Sequence, residues 1–492
     1  MKFGGTSVGD ASCIRQVAEI VRDATRDSDL VVVVSAMSGV TNWLIEAATR
    51  SEAGDHSSIA AIFAAIRDQH DEALNRLIHS SGQRSDVNRK MQECYEEGER
   101  LCEGTGLLRE LTLRARDSIS SLGERLSAPL VAATLRECGV QSEAIEATEI
   151  IVTDSCHGGA DPRMEATRER CEGRMRALLQ QGIVPVVTGF IGATPEGVLT
   201  TLGRGGSDYS ATILGAALGA DEVIIWTDVD GLMTADPRLV ESARTIPEIS
   251  YREAAELAHF GAKVLHPKTL RAVTQCGIPL WIRNTFAPER PGTRITPAGP
   301  ATDGGVKGLT AIRDVTLITV GGPGIVGVPD VLGRTFATIA AVRSNVLLIS
   351  QSSAQNHICL IVPCGIAKPT VEALRREFAQ ELAHEKVEHI TFDPAAAIVT
   401  VVGRNMRSSG IAGRTFGALD REHVDIVAIA QGSSDCNISF VIAEKDMTAA
   451  LESLHREFEL GAQPARKLPP VSPRVMPANW YYEPERPVAN GD

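Results

Sequence analysis

Three short stretches gather the residue types that handle phosphate and carboxylate groups. The first is KFGGTSV, residues 2–8. Gly4 and Gly5 carry no Cβ, Thr6 and Ser7 bring hydroxyl donors, and Lys2 adds a full positive charge. A strand-to-helix turn of this make-up presents backbone N–H groups to an anion. An ordinary tight turn would carry the same glycines. The second is TLGRGGSDYSA, residues 201–211, where Arg204, two glycines, Ser207 and Asp208 precede an alanine-rich run. A guanidinium there can grip a carboxylate or phosphate through two parallel hydrogen bonds. Neither turn has the spacing of a Walker A loop. The third is WTDVDGLMTADPR, residues 226–238, with Thr227, Asp228 and Asp230 at the end of an apolar run. In open α/β sheets that is where ligands bind. FGAKVLHPKTL, residues 260–270, adds Lys263 and Lys268, which by themselves read as ordinary surface lysines.

These turns need elements to hold them. LVVVVSAM (30–37), IVPVVTGF (183–190) and ADEVIIWTDVDG (220–231) are short β-branched runs that suit strands buried on both faces of a parallel sheet. Between them lie helical patterns. In residues 57–78, Ile59, Ile62, Phe63, Ile66, Leu74 and Leu77 recur at helical spacing, with Ser57 or Ser58 as the expected cap. Alternating strands and helices imply an α/β fold over residues 1–286. Residues 287–305 are rich in Pro and Gly and read as a linker. Beyond them the chain repeats itself. Leu332-Gly-Arg-Thr-Phe336 returns as Ala412-Gly-Arg-Thr-Phe416, and Gln351 and Ser353 return as Gln431 and Ser433. Each copy reads as a ferredoxin-like βαββαβ unit, over 306–393 and 394–463. Two copies are too few for a solenoid and suit a paired regulatory module. The proline-rich tail, 464–492, has no periodic pattern and reads as disordered, with Trp480-Tyr481-Tyr482 as its one candidate for docking.

Composition narrows the classes. Acidic residues outnumber basic ones 62 to 49, a net charge of −13, which argues against nucleic acid or an anionic membrane as the main partner. An anionic substrate then needs the cations concentrated locally. The ten cysteines are scattered without a C-x-x-C pair, as in a reducing cytoplasm. No apolar run approaches the length of a membrane span, and the N-terminal residues do not form a signal peptide. GGPGIVG (321–327) contains G-x-G-x-x-G, yet no acid lies between Asp330 and Glu372 to bind a ribose, so no nicotinamide cofactor is expected there. No residue is assigned as a metal ligand.

Taken together, KFGGTSV, SAMSGVTN (35–42), LGRGGSDYSA, WTDVDG, DPR and FGAKVLHP resemble the aspartate kinases, in that family's order and spacing over about residues 1–460. GGPGIVG and AQGSSDCNISFVI are most similar to the kinase half of bifunctional aspartokinase–homoserine dehydrogenases. The resemblance implies an amino-acid kinase fold, a mainly parallel sheet sandwiched by helices, followed by two ACT modules. It implies ATP, Mg²⁺ and L-aspartate as reactants, 4-phospho-L-aspartate as product, and a place at the start of lysine, threonine and methionine biosynthesis. By motif position Lys2 would bind the ATP phosphates and stabilise the transferring group, with Gly4, Gly5, Thr6 and Ser7 around it. Thr41, Glu124, Arg204 and Ser207 would hold aspartate, and Asp208 would organise Lys2. Thr227, Asp228, Met233, Arg238 and Lys263 would face the nucleotide, Met233 standing where many members carry Tyr. The family has a few residues before its lysine; here Met1 alone precedes Lys2, so either the first strand is short or the start of the sequence is late.

The same resemblance implies a homo-oligomer, at least a dimer through its ACT modules, inhibited by an amino acid, threonine rather than lysine. Gln351 and Gln431 occupy the same place in each copy, where an amide can both donate to and accept from an amino acid's polar groups. Asn345 would lie near the same ligand. The bland alternative is that both glutamines only cap a turn. Two other functions compete. A related kinase, of the acetylglutamate or glutamate type, would share the glycine turns but is not expected to carry FGAKVLHP together with two ACT repeats. A non-catalytic sensor would be marked by loss of Lys2, Arg204 or Asp208, and all three are present. The residues after 463 do not open a βαβ unit, so no dehydrogenase activity is expected of this chain.

Overall fold

The computed structural model describes residues 1–261, 265–300, 305–322, 329–352, 357–408, 410–430 and 435–461. Its N-terminal part begins with β1 (Lys2–Phe3), α1 (Ala11–Ala24), β2 (Val32–Val34) and α2 (Val40–Ala53). Four helices follow: α3 (His56–Leu77), α4 (Ser81–Leu108), α5 (Leu113–Ser120) and α6 (Leu122–Glu137). Next come β3 (Ser142–Ile145), α7 (Met164–Gln180), β4 (Val184–Thr188), the short pair β5 (Ile191–Ala193) and β6 (Leu199–Thr201), and α8 (Gly206–Leu218). The part closes with β7 (Val223–Thr227), β8 (Glu248–Ser250), α9 (Tyr251–His259), α10 (Pro267–Cys276), β9 (Leu280–Asn284) and β10 (Thr293–Thr296).

Eight of these strands form one sheet in the order β3-β4-β2-β1-β7-β9-β10-β8. All neighbours are parallel except β9 and β10. The valine and isoleucine runs bury both faces, as a parallel sheet requires. Phe3, Val32, Val34, Val186 and Trp226 face the core shared with α1–α6, while Val33, Val187, Ile225 and Ile282 face α7–α10. The chain leaves β1 toward β2 on one side and reaches β7 on the other, so β1 stands where the strand order reverses. That is the position at which open α/β sheets bind ligands, at their strands' C-terminal ends.

Two local expectations are corrected here. The α3 cap is Asp55, whose carboxylate accepts from the Ser58 N–H at 3.2 Å; both serine hydroxyls also donate to it. The 287–305 stretch is not a linker throughout, because Thr293–Thr296 is a strand of the main sheet with Thr293 and Ile295 fully buried. Proline and glycine flank a β-branched T-R-I-T core that carries the strand.

The C-terminal part comprises β11 (Gly305–Gly321), α11 (Pro329–Ala341), β12 (Leu348–Ser352), β13 (His357–Pro363), α12 (Cys364–Glu377), α13 (Ala379–Ala383) and β14 (His389–Arg404). It ends with α14 (Ile411–Arg421), β15 (Ile426–Ala430), β16 (Asn437–Ala443) and α15 (Met447–Glu457). The strand order is β12-β13-β11-β14-β16-β15. The two long central strands serve both modules. Residues 315–321 of β11 pair with β13, while its first residues, 305–312, pair with 398–404 of β14, beside β16. The second module therefore takes its fourth strand from ahead of the first, and a boundary at 393/394 does not divide the sheet. The repeated G-R-T-F has a structural role. Arg334 Nε donates to Glu377 at 2.7 Å and its guanidinium lies over the Phe378 ring; Arg414 does the same with Glu457 at 2.8 Å and with Phe458. Each arginine ties the two helices of its module together. Among the described residues no helix is long and apolar enough to cross a membrane.

Candidate active site

Four strand ends converge on the first glycine turn. The Gly4 N–H donates to Trp226 O at 3.1 Å, Ser35 N–H to Phe3 O at 3.1 Å and Gly189 N–H to Val34 O at 2.8 Å. The turn thus sits between the loop after β2 and the end of β7. Residues 6–8 form one 3₁₀ turn, and α1 begins only at Ala11. Its N-terminus is already filled by Asp10, whose carboxylate accepts from Ser12 and Cys13 N–H groups at 2.7 and 2.9 Å. The expected helix-end anion site is therefore closed by the chain's own acid. The N–H groups that have no partner among the described residues are those of Gly5, Thr6 and Ser7. Gly5 is needed for space rather than for an unusual backbone angle, since a Cβ on it would stand 3.1 Å from Ala36 O; one on Gly4 would meet Lys2 Nζ at 3.5 Å, an ordinary contact.

Lys2 points to the α8 side of the sheet. Its Nζ lies 2.5 Å from Asp208 Oδ1 in the first turn of α8. Both are largely buried, Lys2 with 7% of its surface exposed. The second glycine turn makes this approach possible. Gly203 and Gly205 have φ of +78° and +68°, angles that favour glycine. A Cβ on Gly205 would meet His266 Cβ at 2.5 Å, and one on Gly206 would meet Phe190 Cδ2 at 2.6 Å. With Gly205 as its cap, no side chain caps the first N–H groups of α8 by a hydrogen bond, and this positive end lies beside Lys2.

Glu124 is brought in by α6. A Cβ on Gly123 would lie 2.5 Å from Ala36 Cβ, and Ser127 Oγ donates to Ser35 O at 2.7 Å, which fixes α6 against the β2 loop. The Glu124 carboxyl is buried, with 3% exposure, and its Oε2 has no hydrogen-bond partner among the described residues. Burial pushes its pKa up to about 8, against the pull of the Ala36 N–H, its own N–H, Lys2 and Ser207. Such a group fits a cation delivered by a ligand. Ser207 is buried beside Gly189, whose Cβ would lie 2.6 Å from Ser207 Cβ. Thr41 is half-buried in the first turn of α2, and Arg204 is exposed at the mouth. Its charge and that of Lys268 add to burial in holding His266 below the usual histidine range.

Other expected residues divide. Thr6 is exposed on the turn. Ser7 is fully buried, its hydroxyl 2.7 Å from Thr285 Oγ1 and donating to Trp226 O, so its side chain belongs to the scaffold and only its N–H is left for a ligand. Thr227 Oγ1 donates to Asp228 Oδ1 at 3.2 Å at the end of β7, whereas Asp230 is held by Asn284 at 2.8 Å and by Arg290. Met233 is half-buried and its Sδ accepts from Thr245 Oγ1 at 3.6 Å. Arg238 pairs with Asp236 through Nε at 3.0 Å and Nη2 at 2.6 Å, with its side chain 84% exposed. Lys263 and Gln431 lie outside the described residues. Asn345 and Gln351 are both exposed, Gln351 on β12 in register with Ile358.

Three residues near the site escaped the sequence reading. Phe190 has φ of +70°, rare for a bulky residue, and its N–H donates to Ser210 Oγ at 2.9 Å. His266 caps α10 by accepting the Lys268 N–H at 3.2 Å and buttresses Gly205. Asp117 holds the chain that leads to Arg204. The TGF and LHP triplets were visible, but nothing in their spacing marks a strained or buttressing role. Among the described residues no group of three or more His, Cys, Asp or Glu side chains could hold a metal ion. Mg²⁺ carried by a triphosphate needs no such cage, since phosphate oxygens, water and one or two carboxylates suffice. Exposed Asp228 at the mouth fits that lesser demand.

Comparison with known proteins agrees with this geometry. The amino acid kinase family model matches residues 1–284, and an ACT domain model matches 318–378 and 399–458. Bifunctional aspartokinase/homoserine dehydrogenase 1, chloroplastic, of Arabidopsis thaliana is 34% identical over 467 residues, covering 93% of this chain and 51% of that one. Aspartokinase 1, chloroplastic, of the same plant is 33% identical over 470 residues, covering 93% and 79%. The crystal structure of E. coli aspartokinase III in complex with aspartate and ADP (R-state) matches with a TM-score of 0.77 and 30% identity, covering 93% of this chain and 99% of that one. The same enzyme with lysine and aspartate (T-state) gives 0.77 and 31%, covering 93% and 98%. The chain spans about half the length of the bifunctional relatives it matches.

Proposed function

The chain belongs to the aspartokinases of the amino acid kinase family, and on that footing we propose that it transfers the γ-phosphoryl group of ATP to the β-carboxylate of L-aspartate, forming 4-phospho-L-aspartate and ADP. Its fold is the amino acid kinase fold followed by ACT domains. The observation that carries the activity is the buried Lys2–Asp208 pair, set where both glycine turns meet and beside the unpartnered Glu124 oxygen.

A carboxylate acceptor is ionised at neutral pH, with an ordinary pKa near ~3.9, and needs no general base. What remains is positioning and charge stabilisation. Asp208 holds Lys2 Nζ at the edge of the first turn, where it meets charge developing on the transferring group. The Gly5, Thr6 and Ser7 N–H groups and the open end of α8 add fixed dipoles. Glu124 accepts the substrate ammonium, Arg204 at the mouth grips a carboxylate, and Ser207 and Thr41 complete the acceptor side. Thr227, Asp228 and Met233 line the approach for the nucleotide, and Lys263 binds it too. Asp228 would hold Mg²⁺ together with the triphosphate, and the ion would supply charge neutralisation there. The test is ADP release with Mg·ATP and L-aspartate, L-glutamate or N-acetyl-L-glutamate as acceptor. Aspartate is expected to dominate; preference for either other acid would refute the reading.

Control completes the proposal. The ACT modules bind an inhibitory amino acid, threonine in preference to lysine, near Asn345, Gln351 and Gln431, in a homo-oligomer of at least two cytoplasmic chains. The ligand acts by its differential affinity for two arrangements of the kinase part, and a coupling of about 1–3 kcal/mol gives roughly 5–150-fold inhibition.

A further inference from the structure

Asp117 lies on α5, one helix before Glu124. A single residue, Ser121, ends α5 and begins α6, so the two acids sit on consecutive rigid segments. The Asp117 carboxylate is buried, with 3% of the residue exposed. It gathers four donors from two other parts of the chain. Thr201 contributes its hydroxyl at 2.5 Å and its N–H at 3.3 Å. The 154–161 loop contributes the Gly158 N–H, at 3.1 and 3.0 Å to the two oxygens, and His157 Nδ1 at 2.9 Å.

Both groups of donors support Arg204. Thr201 is the last residue of β6, three before Arg204 in the chain. Gly158 lies under the turn itself, since a Cβ on Gly203 would stand 3.1 Å from Gly158 O. The Ala160 N–H closes the frame by donating to Thr201 O at 2.8 Å. One buried carboxylate therefore ties the helix that leads into Glu124 to both supports of the turn that projects Arg204. We infer that Asp117 is a positioning residue that sets the spacing between the ammonium acceptor Glu124 and the carboxylate clamp Arg204, and so selects aspartate among amino diacids.

The inference rests on the reading of Arg204 and Glu124 as the two ends of the substrate site. Asp117→Asn keeps the shape but turns one acceptor into a donor that must face an N–H or a hydroxyl. A shift of the clamp by a fraction of an ångström is enough to lower selective binding. The aspartate KM should rise about tenfold or more while the ATP KM stays within about twofold, and the preference for aspartate over glutamate should shrink. Thr201→Val, which removes the strongest donor from the other side, should reproduce the split and serves as the deciding variant if Asp117→Asn does not fold. A role confined to stability would lower Tm and the active fraction and leave both KM values alone. Arg204→Ala separates the two levels of the argument. If it leaves the aspartate KM unchanged, the reading of the site fails. If it raises the aspartate KM while folded Asp117→Asn or Thr201→Val keeps it within about twofold of the native value, the positioning role is overturned.

Discussion

The two glycine-rich turns look alike in sequence and are built for opposite reasons. In the first, Gly4 and Gly5 lie outside the left-handed region; Gly5 makes room against Ala36 O, and Gly4 leaves the approach to Lys2 Nζ clear. The helix that follows is capped by its own Asp10, so the turn itself supplies the free N–H groups. In the second, Gly203 and Gly205 adopt left-handed angles, and Gly205 caps α8 without a side chain, so the helix end stays open. A glycine thus marks either a place where something must come close or a place where the chain must turn, and only three-dimensional packing says which. The ion pair Lys2–Asp208 joins the two turns into one site.

Breaking that joint should have the largest effect. Lys2→Ala removes the charge aimed at the transferring group and leaves Asp208 without its partner. A fall in kcat of roughly 10²–10³-fold is expected, the scale on which a single preorganised stabilising group acts. Stopped-time ADP release on the folded variant measures it, and near-native turnover would detach Lys2 from the chemistry.

The next effect sharpens the acceptor side. The free Glu124 carboxyl titrates at about 8, raised from 4.5 by burial, so it is mostly neutral at pH 7. Only its ionised form pairs with an ammonium, and aspartate binding must release the proton. The aspartate KM should therefore fall as pH rises toward about 8, by roughly tenfold per pH unit well below that value, and level off above it. Glu124→Gln should flatten this dependence and leave the ATP KM without it. The same group affects stability with a definite sign. Between 4.5 and about 8 the folded chain holds a proton that the unfolded chain has lost, so Glu124 makes the fold less stable as pH rises through that window.

Exchanging the glycines tests the comparison itself. Gly205→Ala forces a left-handed angle on a residue with a Cβ and drives that atom against His266, so a stability loss of about 1–3 kcal/mol is expected in denaturant unfolding. Gly4→Ala meets Lys2 Nζ and Trp226 O only at van der Waals distance and should leave stability within about 0.5–1 kcal/mol. Its cost should appear as a raised ATP KM, because the new methyl occupies the approach to Nζ. The reverse pattern would mean that the two turns have been assigned the wrong tasks.

Much of this was legible before any coordinates. Lys2, Arg204, Ser207 and Asp208 stand in motifs whose composition already suggests anion chemistry, and the repeated arginines announced two like modules. Other features depend on packing between distant segments. The T-R-I-T strand was masked by flanking proline and glycine, although Thr293 and Ile295 alternate into the core. The two long strands β11 and β14 each serve two modules, a division that a linear repeat cannot express. Ser7 carries the hydroxyl expected of a phosphate ligand, yet Thr285, brought in by β9, takes it. Asp117 sits in an unremarkable R-A-R-D-S helix, and its partners are 40 and 84 residues away.

The smallest expected effect checks that the first turn, not the helix behind it, holds the anion. Asp10→Ala should remove a helix cap worth about 1 kcal/mol and lower Tm slightly, with kcat and the ATP KM within about twofold of native. A strong gain in ATP affinity would show that the uncapped helix end had been the real phosphate site.

The central claim is that the paired turns carry phosphate to a carboxylate of aspartate. An acyl phosphate reacts with hydroxylamine to give a hydroxamate that can be coloured with iron and identified by mass. Incubation of the full chain with Mg·ATP, L-aspartate and hydroxylamine should yield the β-hydroxamate of aspartate in amounts matching ADP, and almost none with Lys2→Ala. ADP formed without the hydroxamate, or a hydroxamate of glutamate in its place, would contradict the account.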